Sequence, residues 1–245
     1  PLLGTDTKQR RSPTSTSRVA TRRNKSHSTS RRQEMMKKLM QVNFAGGGGP
    51  SVAWDPATKG KGVVLVDNDR VATSRAGNHG VLATEKLLSG VYSWDIRVLS
   101  IGDVKGKIRI GVASMQTWNP ERGLGTNRKG PGAWSYHCNG WVTYGGRRKP
   151  YGDVYSERDI ISIEIDMSTG EIWCSKNRVA LGLAETLDTD FVRQKPLYPA
   201  ITLGKGDRVQ IENWRHRRKG EARGGPSQRT RTLPRHWGSG RPSRW

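Results

Sequence analysis

Arginine carries most of the chemistry this sequence offers. Arg10-Arg11, Arg22-Arg23-Asn24-Lys25, Arg31-Arg32 and Lys37-Lys38 crowd the first 49 residues. Arg215-His216-Arg217-Arg218-Lys219, followed by Arg229, Arg231 and Arg235, repeats the pattern at the other end. A third knot, Arg147-Arg148-Lys149, stands between Gly146 and Pro150 in the middle of the chain. A guanidinium is planar, permanently charged and shaped to meet two phosphate oxygens at once. Runs of this density therefore point to neutralisation of a polyanion rather than to turnover of a substrate.

Residue types that would support covalent or metal chemistry are present without the spacing it needs. His27, His79, His137, His216 and His236 are dispersed, and no two stand at metal-ligand spacing. Serine, histidine and aspartate occur without a nucleophile-elbow pattern. Cys138 and Cys174 have no C-x-x-C partner and read as buried, reduced thiols. The run Gly46-Gly47-Gly48-Gly49 lacks the Lys-Ser/Thr of a phosphate loop, and Gly102 to Gly106-Lys107 has the wrong spacing with no hydroxyl after the lysine. We expect no enzymatic activity, no metal and no cofactor.

The chain has 245 residues, a net charge of +22 and a mean hydropathy of -0.75. Its charge is unevenly placed. Residues 1–49 hold 11 Lys and Arg against 2 acids, and residues 215–245 hold 10 against 1, which leaves 22 against 18 between them. Two self-repelling extensions thus flank a nearly balanced middle, and neither extension has the apolar content to pack alone. No run approaches the roughly 18 apolar residues of a membrane span.

The middle is patterned for strands. Ile161, Ile163 and Ile165 alternate with Ser162, Glu164 and Asp166, the turn Met167-Ser168-Thr169-Gly170 follows, and Ile172-Trp173-Cys174 resumes the alternation. Val179-Ala180-Leu181 adds a third strand across Lys176-Asn177-Arg178. Asn139-Gly140 joins another hairpin, Ala133–His137 with Trp141–Tyr144. Further short strands are expected at 52–55, 63–66, 70–73 and 81–84. Trp94, Trp134, Trp141, Trp173 and Trp214 fall in strand patterns and are assigned to the core rather than to base stacking. The long connection from Ser114 to Gly132 carries Trp118-Asn119-Pro120 and a basic, glycine-rich tip with Arg128 and Lys129. Outside the sandwich, Met35, Met36, Leu39 and Met40 recur at spacings of three and four, predicting a short amphipathic helix near 31–43, and the glycine run after it is a linker. Trp237 and Trp245 have no core to join in their own segment, so they fill a pocket on a neighbouring protein or stack on bases.

Five of these motifs, in register, resemble the SPRY domain family: Gly90-Val91-Tyr92-Ser93-Trp94-Asp95-Ile96, Ile108-Arg109-Ile110-Gly111-Val112-Ala113, the stretch 159–183, Leu197-Tyr198-Pro199-Ala200, and Val209 to Asn213-Trp214. The resemblance implies an all-β fold, a sandwich of two antiparallel sheets over residues 50–214, between a basic extension at 1–49 and another at 215–245. It departs from the family at Arg178, where glycine usually follows Ser-Lys-Asn. It also implies a recognition module whose end loops take a peptide or a protein edge, here through Trp118, Asn119, Pro120, Arg128 and Lys129.

Two functions follow. In the first, the extensions bind RNA phosphates while the sandwich contacts proteins within a large ribonucleoprotein, most readily a lineage-specific mitochondrial ribosome; the Arg/Ser-rich first 33 residues have the composition of a mitochondrial transit peptide, a nuclear basic arm or a ribosomal-protein extension. In the second, the chain is a peptide-recognising adaptor of a ubiquitin-ligase, chromatin or nuclear RNA-binding complex, and the basic ends are localisation signals.

Overall fold

A computed structural model describes residues 52–102, 107–126 and 132–218. The helix expected near 31–43, the basic residues of 1–49, Arg128, Lys129, Lys219, Arg229, Arg231, Arg235, Trp237 and Trp245 lie outside them. The strands are, in chain order, β1 (Val63–Val66), β2 (Val71–Ser74), β3 (His79–Leu82), β4 (Val91–Ser100), β5 (Arg109–Ser114), β6 (Ala133–His137), β7 (Trp141–Tyr144), β8 (Arg147–Pro150), β9 (Ile160–Asp166), β10 (Glu171–Lys176), β11 (Val179–Thr186), β12 (Leu197–Leu203) and β13 (Arg208–Arg217). One short helix, α1 (Thr189–Gln194), joins β11 to β12. Its N-cap is Asp188, whose carboxylate accepts from the backbone N–H groups of Asp190 and Phe191.

These strands form two antiparallel sheets, one of seven strands in the order β1-β2-β13-β4-β9-β10-β11 and one of six in the order β3-β12-β5-β6-β7-β8. The period of two explains the core between them. Ile161, Ile163 and Ile165 of β9 are wholly buried, as are Ile110 and Val112 of β5 and Ile201 and Leu203 of β12. Each such side chain contributes about 1.5–3 kcal/mol relative to exposure. Ser162, Glu164 and Asp166 take the opposite, outward slots of β9 and remain only half-buried. Both thiols are buried, and burial raises the pKa of Cys174, which is therefore not a ready nucleophile.

Three local expectations change in the structure, and the backbone at Arg178 becomes visible. The sheet does not stop at Trp214: β4 is ten residues long, and its first three pair with Val91↔Arg217, Tyr92↔His216 and Ser93↔Arg215 after a bulge. Asn213 enters that bulge at φ +53° and donates from Nδ2 to Asp95 Oδ2 at 2.8 Å. Residues 52–55 form no strand, only an isolated bridge between Trp54 and Ala83. Trp141 is not a core residue, because Val142 takes the inward slot of β7 and leaves Trp141 and Thr143 on the outer face. Finally, Arg178 adopts the left-handed conformation that glycine usually supplies, at φ +70° beside Asn177 at +50°.

Candidate functional site

The outer face of the six-stranded sheet is where the sandwich is built for something besides its own core. Alternation along β5 sends Ile110 and Val112 inward and turns Arg109, Gly111 and Ala113 outward. That outer face is not left to solvent. Residues 115–126 fold back over it, and Leu124 is buried with Leu82, Ala113, Tyr198 and Ala200 in a second, smaller core.

Three anchors hold this segment. Trp118 Nε1 donates to the Thr58 carbonyl at 2.9 Å, and Trp118 is half-buried against the second core. The Pro120 carbonyl accepts from Gly80 N at 2.8 Å. Glu121 accepts from Lys61 N at 2.9 Å and pairs with His79. Asn119 is exposed, and its side-chain oxygen accepts from Glu121 N in a local turn. Of the described residues among those expected to bind a protein partner, Trp118 and Pro120 thus tie the connection down, and Asn119 is the one left outward.

Beyond Leu124 the face becomes cationic. Arg109 and His137 are register partners across β5 and β6. The Leu124 carbonyl accepts from Ser135 Oγ at 3.0 Å and from Arg109 Nη1 at 3.3 Å, while Leu124 N donates to Thr202 Oγ1. His137 Nε2 sits 2.8 Å from Thr143 Oγ1 and 3.2 Å from Ser135 Oγ. Burial first, and then the charges of Arg109 and Arg148, push the His137 pKa down to about 3, so the imidazole is neutral at pH 7. Burial, followed by Arg148, also lowers the Arg109 pKa.

The knot 147–149 is the edge strand β8, and all its residues are exposed. Gly145 and Gly146, at φ +56° and +75°, supply the two left-handed residues of the tight turn that brings it back beside β7. Arg148 lies over the Trp141 ring, its guanidinium carbon 4.6 Å from the centroid. Lys149 is neutralised by Glu185 at 3.0 Å. At the end of the other sheet, Arg215 and Arg217 alternate with His216, which stacks on Tyr92 at a centroid distance of 4.2 Å. Arg218 follows and is exposed. Arg109 and Arg148 thus share the outer face of this sheet, two strands lying between theirs, a placement the sequence reading did not make. The signal was a single charged residue in the otherwise apolar strand 108–113.

Among the described residues no three His, Cys, Asp or Glu side chains gather to hold a metal ion. What the surface offers is an exposed basic edge strand, with Arg148 held over Trp141, beside an anchored loop in a sandwich of defined topology. The SPRY domain model matches residues 91–215. The chain belongs to the SPRY domain family. The SPRY domain of human HERC1 superposes with a TM-score of 0.56 at 21% identity, covering 67% of this chain and 100% of that one. The TRIM65 PSpry domain superposes at 0.51 with 16% identity, covering 66% and 89%. At these identities the likeness is one of fold. No curated protein sequence matches the chain. SPRY domains are protein-interaction modules, and the sandwich described above is one.

Proposed function

We propose that this protein is a structural RNA- and protein-binding component of a large ribonucleoprotein, with the SPRY sandwich docked on a neighbouring protein and the two basic extensions laid along RNA. The observation that carries this reading is the division of charge. The sandwich region, residues 50–214, is nearly balanced, whereas 21 of the 43 Lys and Arg lie in residues 1–49 and 215–245 against 3 acids. Arg10, Arg11, Arg22, Arg23, Arg217 and their neighbours neutralise phosphates and release the counterions condensed there, which gives affinity without base specificity. A mitochondrial ribosome with lineage-specific subunits is the particle that best accommodates a SPRY module bearing an Arg- and Ser-rich start. The second reading, a peptide-recognising adaptor acting in the nucleus or with a ubiquitin ligase, draws its support from family membership.

Gradient sedimentation of fractionated cell extract separates the two. Co-migration with a ribosomal subunit in the mitochondrial fraction, shifted to the top of the gradient by ribonuclease, is the expected result. A light, ribonuclease-insensitive peak containing ubiquitin-ligase or chromatin subunits would replace this reading with the adaptor.

A further inference from the structure

We infer that the outer face of the seven-stranded sheet around Trp173 is the docking site of the chain's own residues 31–43, which lie on it as an amphipathic helix. The inference is independent of the RNA-binding reading above.

The first observation is a buried residue on the outward side of a strand. Ile172 and Cys174 of β10 join the main core, so Glu171, Trp173 and Ser175 face outward. Trp173 is nevertheless only 5% exposed and belongs to neither core, and its neighbours in register, Leu183 on β11 and Glu164 on β9, stand beside it rather than over it. Among the described residues, the segment that folds back over a sheet, 115–126, covers the other one. Ser175 is fully buried on the same face as Trp173, and its Oγ makes no hydrogen bond. A cover that removes water from a hydroxyl and offers no acceptor in return is apolar.

The second observation is what surrounds this spot. Leu183, 40% exposed, extends the apolar surface across β11. Glu164, together with Glu171 and its register partner Asp166, borders it with carboxylates, while the outward cations Arg215 and Arg217 stand two strand spacings from β9, on β13. The face therefore suits an apolar stripe edged with positive charge. Residues 31–43 carry one: at about 100° per residue, Met35, Met36, Leu39 and Met40 share one side of a helix, with Arg31 and Lys38 along one border and Lys37 along the other. Methionine, flexible and polarisable, packs well on an indole ring.

The third is reach. Trp54 N donates to the Asp69 carbonyl at 2.8 Å, which fixes the start of the sandwich beside β2. Four strand spacings separate β2 from β10, about 19 Å across the sheet. Residues 44–51, with Gly46 to Gly49 among them, span up to about 26 Å when extended, enough to carry residue 43 onto this face. A helix over 31–43 is about 20 Å long, which matches the breadth of those strands. Docked there, it delivers the first 30 residues to the face from which Arg215 and Arg217 project, so that both basic extensions leave the domain from one side.

The test is an NMR measurement on the full chain, isotope-enriched at methionine methyls and indole nitrogens, with a nitroxide attached through Leu183→Cys. Cys138 and Cys174 are buried and stay unlabelled. The Met35, Met36 and Met40 methyl resonances are expected to lose most of their intensity through proximity to the nitroxide. Adding Leu39→Glu, which sets a carboxylate in the stripe against Glu164, Asp166 and Glu171, should restore that intensity. If Leu183→Cys does not fold, Val179→Cys, at a position 65% exposed on the same strand, carries the label instead. Unchanged Met35, Met36 and Met40 intensities in a folded, labelled chain overturn the inference. Loss confined to the Trp237 and Trp245 indole signals gives the face to the other extension and overturns it too. So does loss in enriched chains without a nitroxide that are mixed with labelled, unenriched ones, since the segment then docks on a second copy.

Discussion

Acid should find His137 before it finds the carboxylates. In the native state this imidazole is buried between Ser135 and Thr143 with Arg109 and Arg148 nearby, and its pKa falls from 6.5 to about 3. In the unfolded chain it titrates near 6.5. The unfolded state therefore binds the extra proton below pH 6.5 and the native state does not, so stability is complete above that pH and is lost as pH falls towards 3. At about 1.36 kcal/mol per unit, lowering the pH from 7 to 5 removes about 2 kcal/mol through this one group, before the carboxylates begin to protonate. Urea denaturation at the two pH values measures it, with His137→Gln as control, since glutamine keeps a polar group between the two hydroxyls and does not titrate. The wild type should lose about 2 kcal/mol more than the variant over that interval. Equal losses would mean that His137 is solvated and the loop 115–126 does not seal the outer face.

Two further outcomes follow from the turns. Gly170 closes the β9–β10 hairpin at φ +71°, and a Cβ there would collide with the Leu187 carbonyl, so Gly170→Ala should lower stability by about 1–3 kcal/mol in the same denaturation assay; an unchanged midpoint would show that the turn relaxes freely. The buried Asp207 carboxylate accepts from Gly102 N at 2.9 Å and Gly204 N at 2.7 Å, so Asp207→Asn turns an amide donor against one of these N–H groups and should cost about 1–3 kcal/mol; a variant of wild-type stability would refute the pairing.

Strand periodicity was legible wherever one face is buried. Ile161, Ile163 and Ile165 announced both their strand and their buried face, and Asn139-Gly140 announced a turn. The end of β13 was hidden because Arg215-His216-Arg217 looks like a solvated tail, and only the length of β4 and the Tyr92 ring show why the strand continues. Trp141 was misplaced for a related reason: alternation gives two faces but not which is inward, and the neighbouring Val142 decides it. That Arg109 and Arg148 share one sheet face was invisible in principle, since it depends on a sheet order that one-dimensional patterning does not contain. Arg147 and Arg148 themselves stood out as a basic knot, although not as an edge strand.

The position of β13 also governs how the domain is made. The last described strand to leave the ribosome lies between β2 and β4, near the middle of the seven-stranded sheet. During synthesis β4 therefore waits with one long edge unpaired while β5 to β12 are added, and such an edge invites pairing with other chains. A premature stop before Arg208 would not trim the domain but divide one sheet into two fragments, β1-β2 and β4-β9-β10-β11. Nascent chains of this protein should accordingly need a chaperone until β13 inserts, and nonsense variants anywhere upstream of it should be cleared as unfolded polypeptide rather than persist as shortened binders.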